Sequence, residues 1–265
     1  MNLDLPSNDT APSRSGEQLA GKVVIVTGAG SGIGAAAVAR FAAAGAYVLA
    51  CGRKPDRLRQ VVASIGAAVT AVQCDVTEPE EVAGSVATAV ERYGRLDAAF
   101  NCAGVFGRFG PLHEDDQANF DDVVAVNLYG LWSCLRHQIP AIVAAGGGTV
   151  VNCASVAAHL GHAKSPLYSA TKHAVIGLSK SAALQYAADG VRINVVSPGS
   201  TDTEMLRSIY PSSETLDARA RRAPLRRLAT PEEVADAAVW LASPLSSYVT
   251  GQTLVVDGGV TAGSV

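Results

Sequence analysis

Three observations predict an α/β fold in which a doubly wound parallel sheet of about seven strands carries helices on both faces. Short runs rich in Val, Ile and Ala alternate with Ala-rich stretches of helical length along the 265-residue chain. The short runs are apolar almost without interruption, as parallel strands covered on both faces are. Glycines mark most boundaries between the two kinds of stretch. No break in composition and no long linker indicates a second domain.

The elements follow this alternation in order. The predicted strands span 22–27, 46–51, 68–74, 96–101, 149–152, 192–196 and 253–256. The predicted helices span about 33–44, 56–65, 79–93, 117–145, 166–188 and 231–242. Residues 200–228 show no clear period and are predicted to form an irregular, mobile substrate lid. Residues 1–18 are polar, with Pro6, Pro12 and several Ser, and are predicted to be a disordered lead-in to a single domain over 19–265.

Composition excludes several classes of partner. Apolar residues make up 48% of the chain, enough for a substantial core, and charged residues only 17%. The net charge is −3, so there is no basic field for nucleic acid or for an anionic membrane surface. No stretch reads as a membrane span or a signal peptide, and we expect a cytoplasmic protein. The five cysteines and five histidines lack the spacing of a disulfide framework or a zinc site, so no metal is expected.

The first predicted strand runs into a glycine-rich turn, Thr27-Gly28-Ala29-Gly30-Ser31-Gly32-Ile33-Gly34, just before a helix. Glycines at 28, 32 and 34 let the backbone approach a pyrophosphate, and the free N–H groups of the helix N-terminus attract an anion. A glycine-rich turn alone is weak evidence. Its place between the first strand and the first helix is typical of dinucleotide binding.

Tyr168 and Lys172 lie four residues apart in a predicted helix, so both side chains are on one face, one turn apart. A phenol has an ordinary pKa of about 10 and is a poor acid or base at neutral pH. A neighbouring ammonium favours the phenolate and moves that pKa toward the working range. Such a pair, taken alone, is more often a half-buried Tyr beside a solvated Lys, and only the surrounding motifs favour catalysis.

These motifs belong to a larger set, spread from about residue 19 to the C-terminus. Besides the glycine turn and the Tyr–Lys pair, the set comprises Asp75-Val76, Asn101-Cys102-Ala103-Gly104, Asn127, Ser155, Pro198-Gly199, Val249-Thr250-Gly251-Gln252 and Val256-Asp257-Gly258-Gly259. With these motifs in this order, the chain resembles the short-chain dehydrogenase/reductase family, with Cys102 in place of that family's second Asn. The resemblance implies a single Rossmann-like domain and a nicotinamide-dependent oxidoreductase that acts on a small-molecule alcohol or carbonyl compound.

The resemblance also implies a catalytic set of four residues. Tyr168 would be the general acid for carbonyl reduction and the general base for alcohol oxidation. Lys172 would lower the pKa of Tyr168 and hydrogen-bond the nicotinamide ribose. Ser155 would hold the substrate oxygen beside the phenol, in position for hydride transfer. Asn127 would support Lys172 through a water molecule and help to relay protons.

The cofactor contacts come from the same resemblance. Asp75 would meet the adenine amino group, and Val76 would pack beside the adenine ring. Thr201 and Thr203 follow Pro198-Gly199 in the segment that holds the carboxamide and the pyrophosphate. The full predicted set is Gly28, Ser31, Gly32, Ile33, Gly34, Arg53, Asp75, Val76, Asn101, Gly104, Tyr168, Lys172, Thr201 and Thr203.

The end of the second predicted strand favours NADP(H) over NAD(H). NAD users of the family typically place an Asp where Gly52 stands, and that carboxylate would repel a 2′-phosphate. Gly52 leaves room for the phosphate, and Arg53 is able to pair with it. Ser31 argues the other way, because many NADP users carry Arg or Lys at its position. NAD(H) therefore stays an alternative.

The predicted lid is crowded with arginines, which are Arg219, Arg221, Arg222, Arg226 and Arg227. They either dock an acidic carrier protein or an anionic substrate, or lie on a solvated helix and pair with Glu214, Asp217 and Glu232. The first interpretation keeps a 3-oxoacyl-carrier-protein reductase as an alternative function. The alternative from a different class is a non-catalytic, cofactor-sensing regulator, which is disfavoured because all four catalytic positions are filled.

Substrate identity does not follow from the sequence. By the resemblance, substrate lies against residues 105–109, 157–166 and 200–228, where the family diverges most. His159 and His162 fall in the second range, and we interpret them as loop histidines rather than substrate contacts. A homo-oligomer, either a tetramer or a dimer, is expected, since family members commonly pair through the helix that bears the Tyr–Lys pair.

Overall fold

The computed structural model describes residues 18–263, and within them the seven predicted strands form one parallel sheet. The strands are β1 (Val23–Thr27), β2 (Tyr47–Gly52), β3 (Val69–Gln73), β4 (Ala98–Asn101), β5 (Gly148–Cys153), β6 (Val191–Pro198) and β7 (Thr253–Val256). Their order across the sheet is β3-β2-β1-β4-β5-β6-β7, and every neighbouring pair is parallel. The lead-in predicted over 1–18 lies almost wholly outside the described residues.

Helices cover both faces of the sheet, as predicted. They are α1 (Gly32–Ala43), α2 (Pro55–Ile65), α3 (Pro79–Tyr93), α4 (Gln117–Val124), α5 (Gly130–Ala144), α6 (Pro166–Tyr186), α7 (Glu204–Ile209), α8 (Ser213–Ala220) and α9 (Pro231–Ala242). None of these helices, which are those of residues 18–263, is both long and apolar enough to cross a membrane.

Two apolar cores, one on each face, account for the uninterrupted strand sequences. In β1, Val24 and Val26 belong to the core beneath α1 and α9, which also holds Phe41 and Phe100 with ring centroids 6.3 Å apart. Ile25 belongs to the opposite core, beneath α3, α5 and α6. Successive side chains of a strand point to opposite faces. In a strand that is buried on both faces, nearly every side chain therefore lies in one of the two cores and is apolar.

The helix predicted over 117–145 is interrupted in the structure. α4 ends at Val124, a π-helical turn spans Ala125–Tyr129, and α5 continues from Gly130. Gly130, at the start of α5, packs against the loop that follows β3, where a Cβ would lie 2.6 Å from Cγ2 of Val76. A widened turn leaves the apolar pattern nearly unchanged, so the sequence does not indicate it.

The segment 200–228, predicted to be irregular, contains the short helices α7 and α8. Thr203 caps α7 by accepting the N–H of Leu206 at 3.2 Å, and Ser212 caps α8 by accepting the N–H of Thr215 at 3.2 Å. The prediction was wrong here because helices of six and eight residues are too short to show a helical period.

The strand order reverses between β1 and β4. From β1 the chain first builds β2 and β3 on one side, and it then crosses to β4 through β7 on the other. Thr27 at the end of β1 is level with Cys51 of β2 and with Asn101 of β4. In sheets wound this way, ligands bind in the crevice beyond the carboxyl ends of the strands at the reversal.

Candidate active site

A cleft of about 390 Å³ opens at this reversal, beyond the carboxyl ends of the strands. Fourteen predicted site residues line it: Gly28, Ser31, Gly32, Ile33, Gly34, Arg53, Asp75, Val76, Gly104, Ser155, Tyr168, Lys172, Thr201 and Thr203. Asn101 and Asn127 lie outside the lining, and both are buried. The structure therefore brings the glycine turn and the Tyr–Lys pair to one cleft.

The backbone of the glycine turn packs closely against itself and against the loop that follows β4. Gly28 has a φ of 69°, and a Cβ there would lie 2.9 Å from Cα of Ala103. A Cβ on Gly34 would overlap the carbonyl oxygen of Gly28. The Thr27 hydroxyl accepts the N–H groups of Cys102 at 3.2 Å and of Ala103 at 3.3 Å, which joins the two loops. The turn opens α1, so its shape and its free N–H groups fit a pyrophosphate.

Basic side chains gather at the end of β2. Arg53, Lys54 and Arg57 line the cleft there, together with Gly52. Among residues 18–263, neither Arg53 nor Lys54 forms an ion pair, whereas Arg57 pairs with Glu204 at 2.7 Å. Lys54 and Arg57 were not among the residues predicted to bind the cofactor. The signal available for Arg57 was its place in the first turn of the helix that follows this strand.

Lys172 is a buried cation beside the phenol. It is 4% exposed, and its Nζ lies 5.6 Å from the ring centroid of Tyr168. Nζ donates a hydrogen bond to the carbonyl oxygen of Cys153 at 3.0 Å. This carbonyl lies at the end of β5, so the sheet itself fixes the ammonium. A buried ammonium without a carboxylate partner among the described residues favours an anion nearby.

The elements that carry Ser155 and Tyr168 are joined by a hydrogen bond. Ser155 caps a 3-10 turn over Val156–Ala158, and its Oγ accepts the N–H of Ala157 at 3.2 Å. Ser169, next to Tyr168 on α6, donates its hydroxyl to the carbonyl oxygen of Ala157 at 2.6 Å. The hydroxyl of Ser155 and the phenol of Tyr168 therefore enter the cleft from elements that are bonded to each other.

Asn127 is buried in the π-helical turn behind the cleft. Its Oδ1 accepts the N–H of Val105 at 2.8 Å, and its Nδ2 donates to the Val105 carbonyl oxygen at 2.9 Å. Nδ2 also lies 3.2 Å from Oγ1 of Thr171. A Cβ built on Gly104 would lie 3.2 Å from Oδ1 of Asn127 and 3.4 Å from Nζ of Lys172, so the two side chains meet across that glycine.

Three other predicted cofactor contacts have partners within the protein. Asn101 joins a buried network, with Nδ2 donating to Gln138 and to Asn152 at 3.0 Å each. Thr201 forms a bridge with Ala229 at the base of the lid. Thr203, the cap of α7, contacts the glycine turn, because a Cβ on Gly32 would lie 3.0 Å from its Cγ2.

Aromatic side chains extend from Tyr168 toward the lid. The ring of Phe106 stacks on that of Tyr168 with centroids 4.3 Å apart, and Phe109 lies 4.9 Å from Phe106. Tyr210, which follows α7, lies 6.2 Å from Phe109. His162 packs 5.8 Å from both phenylalanine rings. The three ranges expected to line the substrate all contribute, but the sequence did not indicate which side chains enter.

Positive charge surrounds this end of the cleft. Arg219 of α8 lines it, and its guanidinium carbon lies 5.1 Å from the ring centroid of Tyr210. Burial, and then the charges of Arg219, Arg222 and Lys164, lower the pKa of His162 below its ordinary value. In the described residues, no lid arginine forms the expected ion pair with Glu214, Asp217 or Glu232. Arg227 instead pairs with Glu233 at the start of α9.

Comparisons with known proteins agree with this geometry. A family model described as enoyl-(acyl carrier protein) reductase matches residues 28–261. The A-factor type gamma-butyrolactone 1′-reductase (1S-forming) of Streptomyces virginiae is 42% identical over 250 residues, which cover 92% of this chain and 96% of that protein. Cis-4-hydroxycyclohexanecarboxylate dehydrogenase of Sinomonas cyclohexanicum is 39% identical over 249 residues, covering 93% of this chain and 99% of that protein.

A solved structure is similar over nearly the whole chain. Levodione reductase superimposes with a TM-score of 0.90 at 32% sequence identity, covering 93% of this chain and 100% of that one. Both its sheet and its surrounding helices are therefore matched.

Proposed function

The chain belongs to the short-chain dehydrogenase/reductase family and is an NAD(P)-dependent oxidoreductase that acts on alcohol or ketone groups, and we propose that it transfers a hydride between NADP(H) and a cyclic secondary alcohol or ketone. The name of the cis-4-hydroxycyclohexanecarboxylate dehydrogenase supports a ring alcohol as the reacting group, and that of the gamma-butyrolactone 1′-reductase supports only a compound that carries a ring. The family membership and those names disfavour a non-catalytic regulator.

One observation carries the proposal: Ser155, Tyr168 and Lys172 line the same cleft as the glycine turn. A pyrophosphate on that turn leaves the rest of a dinucleotide to reach Lys172, and the substrate then lies between the nicotinamide and the phenol. The aromatic side chains beyond Tyr168 offer an apolar surface of the size that a ring-shaped substrate needs.

Side chains of the protein donate and accept the proton that accompanies hydride transfer. When bound, the cofactor supplies or accepts a hydride at nicotinamide C4. In ketone reduction, Tyr168 gives its phenolic proton to the carbonyl oxygen as that oxygen gains charge. The Ser155 hydroxyl donates to the same oxygen and fixes its place. The Lys172 ammonium stabilises the phenolate that is left. In alcohol oxidation each of these steps runs in reverse.

Asn127 is proposed as a positioning residue. Its side-chain amide accepts the N–H of Val105 and donates to the Val105 carbonyl oxygen. Val105 precedes Phe106, whose ring stacks on Tyr168. The same amide lies next to the Lys172 ammonium across Gly104. A water molecule between these groups, as the family resemblance implies, would connect Lys172 to the interior and complete a route for protons.

The preference for NADP(H) is supported by the charge at the end of β2. Arg53 and Lys54 line the cleft and have no carboxylate partner among residues 18–263. A 2′-phosphate would satisfy both of them, whereas a bare 2′-hydroxyl would leave them unpaired. We propose that Asp75 and Val76 hold the adenine, and that Thr201 and Thr203 approach the carboxamide and the pyrophosphate.

A homo-oligomer is part of the proposal. Phe120 on α4, Tyr129 at the end of the π-helical turn and Trp132 on α5 are each at least 40% exposed. Large apolar side chains exposed together are typical of an interface. Gel filtration is expected to give a dimer or a tetramer, and a stable monomer would contradict this part of the proposal.

The direct test is a cofactor-consumption assay with cyclic ketones and alcohols. Wild-type protein is expected to turn over some of them, and Tyr168→Phe is expected to lose about three orders of magnitude in kcat because the proton donor is gone. Cofactor affinity, measured by nucleotide fluorescence titration, is expected to stay within about threefold of wild type. Retained turnover in Tyr168→Phe would refute the mechanism.

A second candidate is a reductase of carrier-bound 3-oxoacyl thioesters. The exposed Arg221 and Arg222, which form no ion pair in the described part of the chain, favour an acidic partner. Reversing both charges is expected to weaken turnover of carrier-bound substrates and to leave small ketones unaffected. Equal turnover of carrier-bound substrate by wild type and variant would exclude this docking mode.

A further inference from the structure

We propose that Arg219 binds a carboxylate of the substrate, so that the natural substrates are hydroxy- or oxo-acids rather than neutral alcohols or ketones. The proposal rests on the proposed function, because it names the substrate class of the same cleft. It concerns the end of the cleft beyond Tyr168, where residues of α7 and α8 line the cleft beside the aromatic side chains.

Arg219 is a half-buried cation that has no carboxylate partner among residues 18–263. Its Nε is buried and has no hydrogen-bond partner among the described residues, and it forms no ion pair there. Glu214 and Asp217 precede it on the same helix, yet neither reaches its guanidinium. Arginine offers up to five donors in a planar fork that matches a carboxylate. A bound carboxylate would satisfy the donors that the protein leaves open.

Aromatic contact holds Arg219 toward the cleft. Its guanidinium carbon lies 5.1 Å from the ring centroid of Tyr210, and both residues line the cleft. Tyr210 in turn packs against Phe109. A guanidinium placed over an aromatic ring is restrained in position without losing its ability to donate hydrogen bonds. The Arg219 guanidinium is therefore held in the cleft wall, in a position to bind an anion, and does not move freely in solvent.

The neighbouring groups add to the attraction. Arg219, Arg222 and Lys164 all act on His162 with the same sign, so this end of the cleft is positive. None of the three cations pairs with a carboxylate within residues 18–263. Nδ1 of His162, in the same wall, is also buried and has no hydrogen-bond partner among the described residues.

The space between the phenol and this cation is apolar. Phe106 and Phe109 stand between Tyr168 and Tyr210 in the row of rings, and Met205, Leu206 and Ile209 complete the wall. The carboxylate and the reacting carbon are therefore separated by a hydrocarbon body. A ring with the two groups on opposite carbons has this form, whereas a 2-oxo acid does not.

The test compares 4-oxocyclohexanecarboxylate with its neutral methyl ester. Wild type is expected to favour the acid by about tenfold or more in kcat/KM, mainly through KM, because the carboxylate contact forms before reaction. Arg219→Met is expected to remove that preference, with a loss of kcat/KM at least about tenfold larger for the acid than for the ester. Arg219→Lys should keep part of the preference, since the charge remains. The control is Arg207→Met, on α7, which lies outside the cleft lining and should retain the full preference.

Equal efficiency with acid and ester in wild type, or equal losses for both in Arg219→Met, would overturn the proposal. A binding measurement separates it from the proposed function. Cyclohexanecarboxylate, which has no group to reduce, is expected to bind wild type in calorimetry with NADP⁺ present and to bind Arg219→Met at least about tenfold more weakly. Binding of that kind without turnover of any ketone would contradict the proposed function alone, and absent binding would contradict the carboxylate site.

Discussion

The two walls of the cleft are constructed differently. The cofactor wall, residues 28–34 with the end of β2, takes its shape from backbone against backbone, as where a Cβ on Gly34 would overlap a carbonyl oxygen. The substrate wall, made of Phe106, His162, Tyr210 and Arg219, takes its shape from side chains on loops and short helices that are far apart in sequence.

This difference decides what each wall tolerates. A backbone contact leaves no room for a side chain, so the cofactor wall permits one residue type at its tightest points. A wall of side chains accepts other side chains of similar volume, and its chemistry changes with them. The first wall therefore fixes the reaction, and the second selects the compound that reacts.

The largest effect is expected where the cofactor wall is tightest. Gly34→Ala would drive a methyl group into the Gly28 carbonyl, so it should cost about 4 kcal/mol or more of unfolding free energy or abolish cofactor binding. Gly84→Ala is the matched control, since that exposed helical glycine has nothing within 4 Å of a Cβ and the change should stabilise by about 0.5–1 kcal/mol. Urea unfolding and nucleotide titration measure both. A Gly34→Ala protein that is as stable as wild type and binds nucleotide equally well would contradict this expectation.

Removing the buried cation where the two walls meet is expected to come next. Lys172→Met should lower kcat about a hundredfold or more, because the phenolate loses its neighbouring positive charge. The exposed Lys180 lies on the same helix, and Lys180→Met should leave kcat within about twofold. Steady-state kinetics with saturating cofactor give both values. If Lys172→Met raised KM alone, Lys172 would serve binding and not proton transfer.

A smaller effect is expected at the rim of the cofactor wall, where side chains replace backbone. Arg53→Ala should lower kcat/KM for NADPH by about tenfold and leave NADH nearly unchanged. Arg59→Ala, an exposed change on α2 outside the cleft, is the control. The ratio of efficiencies with the two cofactors measures the effect. Wild type that favours NADH would contradict the assignment of Arg53.

The smallest effect is expected at the base of the lid. The Arg227 guanidinium, and after it the N–H of Thr230, lower the pKa of Glu233 from 4.5 to about 2. A carboxyl whose pKa falls on folding stabilises above its unfolded pKa, and this contribution disappears as the pH drops from about 4.5 toward 2. Glu233→Gln should therefore lower Tm slightly at pH 7 and not at all near pH 2. An equal difference in Tm at both pH values would show that the ion pair contributes nothing.

The same contrast explains what the sequence could and could not predict. The doubly wound parallel sheet and the glycine turn follow from patterns that packing enforces over many residues, whereas the order of the strands was not predicted. The helix interruption at Asn127 and the helices α7 and α8 were not predicted, because each depends on a few local hydrogen bonds. Arg219 was recognised only as one of five lid arginines, since no periodicity distinguishes the one that turns inward.

The central claim, hydride transfer to a carbonyl carbon, is tested most directly by an isotope experiment. The enzyme would reduce cyclohex-2-enone with each of the two NADPH epimers that carry deuterium at nicotinamide C4. The proposed function predicts deuterium on the carbinol carbon, from one epimer only, with none transferred by Tyr168→Phe. Deuterium at ring carbon 3 would mean reduction of the carbon–carbon double bond, and would contradict it.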